Sequence, residues 1–114
     1  HSLGGLNPKL HHGTLNAIFM PAVLAFNAGA ESVVSQDKFA RLADAMGLDR
    51  NAGIGEAVEA TTRAIGLPAR LSEIGVTRDM FEPIVAGALR DHSHLTNPRE
   101  ATARDYHDML DAAF

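Results

Sequence analysis

The chain has 114 residues, a formal net charge of −4, no cysteine and no tryptophan. That length suits one domain with a modest apolar core. The acidic balance and the scattered Lys and Arg exclude a polyanion-binding stripe and so a nucleic-acid partner. Disulfides, thiolate metal sites and Cys nucleophiles are excluded outright. No apolar run approaches the roughly 20 residues that span a bilayer, and no basic region leads into an apolar core at the N-terminus. The expectation is a protein with no membrane partner, in the cytoplasm. Because the chain opens on His1 and not on Met, it reads as the interior of a longer sequence, or else as a processed end.

Residues 1–12 read as a loop, since Gly4, Gly5, Asn7 and Pro8 are turn formers and no apolar period develops. A helix is predicted from Gly13, carrying Leu15, Ile18, Phe19, Val23 and Phe26 at mostly three- or four-residue spacing. Pro21 lies inside it and lacks an N–H, which predicts a kink or a broken turn. The stripe Phe39, Leu42, Ala43, Met46 predicts a second helix over 37–46, with Gly47 as its left-handed cap. A third is predicted over 51–65, with Ile54, Val58, Thr61 and Ile65 on one face and Gly66 as its stop. Residues 70–74 allow a single turn ended by Gly75, and Thr77 is placed to cap the next helix, which carries Phe81, Ile84, Val85, Ala88 and Leu89. The polar stretch 91–101 ends at a helix boundary marked by Asn97-Pro98. Thr102 and Asp105 have capping-box spacing and open a last helix bearing Tyr106, Leu110 and Phe114. Met20, Met46, Met80 and Met109 fall on apolar stripes and read as core. With no alternating pattern anywhere, the fold class is all-α, a compact array of five or six helices.

Six histidines are the candidates for chemistry: His1, His11, His12, His92, His94 and His107. Neutral imidazole is a good ligand for Zn or Fe, but none of these pairs has the i, i+4 spacing of a helical metal motif. His11-His12 directly precedes Gly13 and a helix N-terminus, where backbone can be approached closely and an anion or polarised oxygen is favoured. Equally, one of the two can cap the helix or face solvent. His92, His94 and Asp91 allow an acid–base cluster, or an ordinary polar loop. No serine sits in a nucleophile elbow, and Gly4-Gly5 lacks the context of a phosphate loop.

Taken as one string, His1-Ser-Leu-Gly-Gly-Leu-Asn-Pro-Lys-Leu-His-His12-Gly13-Thr-Leu-Asn16-Ala17 resembles the signature of iron-containing (group III) alcohol dehydrogenases. Gly66-Leu-Pro-Ala-Arg-Leu-Ser-Glu-Ile-Gly75-Val and Thr96-Asn97-Pro98-Arg99 resemble two later blocks of that family, in the same order. The resemblance implies the helical C-terminal domain of an NAD(P)-linked enzyme that interconverts a small alcohol and its aldehyde. It implies a divalent metal, Fe(II) or Zn, held by one Asp and three His in a cleft between two domains. By position His12 matches the last of those ligands, and His1 matches a cleft histidine beside the substrate and nicotinamide. The His1–His12 gap runs one residue longer than in many members, so His11 is the alternative ligand; Gly13 and Asn16 favour His12. On this reading residues 1–114 form one helical domain, with 1–12 an active-site loop and 13–114 helices. The N-terminal nucleotide-binding domain, which binds most of the NAD or NADP and holds the other ligands, is its partner and lies outside the chain. Assembly into a homo-oligomer is compatible with it. The competing reading is a stand-alone, non-catalytic helical interaction or metal-binding module derived from the family.

Overall fold

A computed structural model describes residues 1–114. Seven α-helices follow in order: α1 Ser2–Leu6, α2 His12–Asn27, α3 Glu31–Val34, α4 Lys38–Ala45, α5 Ile54–Ala64, α6 Phe81–Ala88 and α7 Ala103–Ala113. Three 3-10 turns lie between them, at Leu71–Ile74, Arg78–Met80 and His92–Thr96. There is no strand. The molecule measures 38 × 32 × 19 Å, about two helix diameters thick.

The longest helix, α2, is the spine, and it packs on both α5 and α7. Leu15 and Ile18 on α2, Leu3 on α1, Phe81, Ile84 and Val85 on α6, and Leu110 on α7 meet in one core with Leu71 and Val76. Local signals set most boundaries as expected. Gly47, Gly66 and Gly75 all take positive φ where helices or turns end. Thr102 and Asp105 form a complete capping box at the start of α7. The Thr102 side-chain and backbone hydrogen bonds hold the Asp105 carboxyl below its usual range.

Four expectations are corrected. The segment 1–12 is not all loop, because Ser2–Leu6 is helical. Its single core residue, Leu3, cannot display a period over five residues, and packing on α6 supplies what propensity does not. Pro21 does not break α2, which runs from His12 to Asn27. Its flank lies against Gly55 of α5, where an added Cβ would stand 3.4 Å from the Pro21 carbonyl oxygen, so tertiary packing offsets the lost hydrogen bond. The short α3 makes the count seven, one of two helices too brief for periodicity to reveal. Finally, the buried faces of α4 and α5 are narrower than predicted. Leu42, Met46, Thr61 and Ile65 are exposed, Ile65 by 67%, and so is Met20. On α5 the buried line instead includes Thr62, whose hydroxyl donates to the Val58 carbonyl at 2.9 Å and so enters the interior satisfied.

Of the glycines, Gly87 has the closest neighbour, at the seam of α1 and α6. A Cβ on Gly87 would stand 2.5 Å from Ser2 Oγ and 2.8 Å from Ser2 Cβ. Gly87→Ala therefore forces α1 away from α6 and should cost about 1–3 kcal/mol, the usual range for overpacking. Urea denaturation checks this, and an unchanged midpoint would show that the seam yields freely.

Candidate active site at the mouth of an apolar cavity

A cavity of about 270 Å³ opens between α1, α2, α7 and the His92–Thr96 turn. That is small beside typical pockets for drug-sized ligands, and suits a compact organic molecule. Phe19, Val23 and Phe26 from α2, Leu3 from α1 and Met109 and Leu110 from α7 make its apolar wall. His1, Asn16, Asp91, Ser93, His94, Asn97 and Tyr106 supply the polar groups.

Three histidines far apart in sequence gather beside its opening. The rings of His1 and His12 stack with centroids 5.3 Å apart and 10° between planes. His92 lies near-parallel to His1 at 6.4 Å. His1 Nδ1 is 2.9 Å from Asp91 Oδ2, so its N–H donates to the carboxylate. The other oxygen of Asp91 accepts the Ser93 backbone N–H at 2.8 Å and caps the His92–Thr96 turn. That backbone bond is the main reason the Asp91 carboxyl lies below its ordinary range, with His92 adding to it. His12 has no hydrogen-bond partner for its ring nitrogens within the chain, and its side of α2 is exposed. His11 occupies the N-cap position without a side-chain cap bond. What approaches Gly13 closely is the ring of His11 itself, 3.3 Å from where a Cβ would stand.

Deeper in, His94 Nδ1 and the Tyr106 hydroxyl share a 2.9 Å hydrogen bond. Burial, and then the charge of Asp91, push the Tyr106 phenol above its usual value, so it stays protonated. Asn27 and Asn97 exchange reciprocal amide bonds of 3.0 and 2.8 Å. Arg99 donates to the Phe26 carbonyl and lies 4.2 Å over the Phe26 ring. The Asn-Pro-Arg segment is thus a clasp that fixes the end of α2 to the cavity wall. Sequence reasoning placed Asn97 at a helix boundary and in a family-like block but paired it with nothing, and did not pair Tyr106 with His94; no local spacing signals either contact. His107, by contrast, lies outside the cavity and pairs with Glu82 at 3.1 Å.

No three His, Asp or Glu residues converge to hold a metal. A catalytic metal usually needs three protein ligands, so no complete ligand set lies within this chain, which counts against a self-contained metal-binding module.

Comparison with known proteins matches residues 1–114 to the model of the Fe-containing alcohol dehydrogenase family, C-terminal. The chain belongs to that family. It is 55% identical over 97% of its length to a 4-hydroxybutyrate dehydrogenase of Cupriavidus necator, covering 30% of that protein. Over its whole length it is 33% identical to the lactaldehyde reductase of Escherichia coli K12, covering 31% of it. An NAD-dependent methanol dehydrogenase of Bacillus methanolicus is 32% identical over 96% of the chain, which covers 30% of that enzyme. The chain therefore spans about a third of the length of these curated relatives. No solved structure matches it. The all-α fold is that expected of the family's C-terminal region, and no helix is long and apolar enough to cross a membrane.

The clasp yields a direct expectation. Asn97→Ala strands the buried Asn27 amide and should cost about 1–3 kcal/mol, as other unsatisfied buried polar groups do. Adding Asn27→Ala should cost little more. A double-mutant cycle by thermal denaturation reads the coupling, and additive losses would contradict the pairing.

Proposed function

We propose that this chain is the helical C-terminal domain of a metal-dependent, NAD(P)-linked alcohol dehydrogenase or aldehyde reductase. The observation that carries the proposal is His12, an imidazole without a partner, stacked on His1 beside a small apolar cavity in a chain of this family. On this reading His12 is one metal ligand, and the remaining ligands and most of the dinucleotide contacts come from the N-terminal nucleotide-binding domain of the same enzyme. Neutral imidazole suits Fe(II) and Zn alike, and the free edge of His12 is compatible with either. An NAD(P)-linked enzyme works where the dinucleotide pool is, which we take to be the cytoplasm.

When bound, the metal would supply Lewis acidity to the substrate oxygen and the nicotinamide would exchange hydride with the adjacent carbon. The residues of this chain orient and enclose. Phe19, Val23 and Met109 take the apolar part of a small alcohol or aldehyde and exclude water from it. His1, on the rim, positions the substrate hydroxyl and can hold its proton. His94 and Tyr106 set a polar limit deeper in the cavity.

His12→Ala in the complete enzyme should lower bound metal and kcat together. The loss should exceed the roughly 10–100-fold that removal of an outer-shell partner costs. Elemental analysis alongside steady-state kinetics makes the measurement; full metal occupancy with normal turnover would remove His12 from the ligand set.

A further inference from the structure

Asp91 is used twice, and its two oxygens divide the work. Oδ1 accepts the Ser93 N–H and caps the turn, a task that an asparagine carbonyl performs as well. Oδ2 faces His1 Nδ1 at 2.9 Å, a contact across 90 residues of sequence that the cap does not require. The side chain is only 19% exposed and is anchored by the turn it caps, so it does not swing freely as a surface carboxylate does. The His1 ring, half-exposed, is further restricted by the near-parallel rings of His12 and His92. A ring nitrogen bonded to an ionised carboxylate must carry the proton, because a carboxylate only accepts. The other nitrogen is then left with a lone pair.

We propose that Asp91 is a positioning residue for His1: it fixes the ring in the tautomer protonated on Nδ1 and leaves Nε2 as the acceptor available beside the cavity. This rests on the reading of His1 as a residue of the substrate cleft, and it adds the group through which that histidine is set. So held, Nε2 accepts a hydrogen bond from the substrate hydroxyl, and the Asp91 carboxylate fixes the ring that presents it. No part of the dyad depends on which metal is bound.

Asp91→Asn separates the two tasks. The amide oxygen keeps the cap, while the amide NH2 becomes a donor toward Nδ1 and drives the proton to Nε2. In the complete enzyme, Asp91→Asn should retain its metal and lower kcat on the order of 10–100-fold, the range that loss of an orienting partner costs. In a cycle with His1→Ala, adding Asp91→Asn should cost nothing further. A second readout needs neither metal nor turnover. Diethyl pyrocarbonate attacks unprotonated imidazole nitrogen, so peptide mass spectrometry of the metal-free enzyme should show His1 modified several-fold more slowly in Asp91→Asn, with His107 as the unchanged reference. Losses that multiply in the cycle, or His1 modification at an unchanged or faster rate, would overturn the proposal while leaving His1 and His12 in the cleft. Full activity in His1→Ala would overturn it together with the role given to His1, and would leave the ligand role of His12 standing.

Discussion

Gly87 has no side chain, and Ser2 of α1 stands where one would be. That contact fixes how α1 lies on α6, and both partners of the cavity rim follow from it. His1 immediately precedes α1, and Asp91 lies three residues beyond the end of α6. A shift of the seam by an ångström would separate Nδ1 from Oδ2, and the His1 ring would lose its place against His12. A helix of five residues with two glycines has no stability of its own. It exists because Leu3 is buried and because α6 leaves room for Ser2. The site is therefore held by core packing rather than by the loop chemistry its composition suggests.

The cavity behind that rim is built on a different economy. Its wall is apolar, yet every polar side chain buried around it has a partner. Such networks stabilise only when complete, since one orphaned amide costs more than the pair contributes. The Asn27–Asn97 exchange and the His94–Tyr106 bond meet that condition. Together with Arg99 on Phe26 they keep the Asn-Pro-Arg segment closed over α2. The result is an apolar pocket of modest size with a few fixed polar groups.

Helix stops at Gly47, Gly66 and Gly75 and the capping box at Thr102 were legible because each is a signal within four or five residues. So were the apolar faces of α6 and α7, which point into the core except at Leu89, exposed just past the end of α6. What stayed hidden was set by packing. α1 and α3 are too short to show a period, and Pro21 stays helical because α5 supports it. Leu42, Met46 and Ile65 fit a stripe but lie at a periphery with nothing opposite to bury them. In the site, the string around His12 and Gly13 carried the family, and the roles proposed for His1 and His12 rest on that resemblance. The pairing of His1 with Asp91 joins the two ends of the chain, and no spacing rule reaches across 90 residues.

The central claim is that His12 is a ligand to a metal shared with another domain. Anomalous diffraction from crystals of the complete, metal-loaded enzyme tests it most directly. The account predicts a metal peak about 2.0–2.1 Å from a His12 ring nitrogen, the zinc–imidazole distance, with the His1 ring nearby but uncoordinated. A fully occupied site that excludes His12, or one that takes His11 in its place, would contradict it.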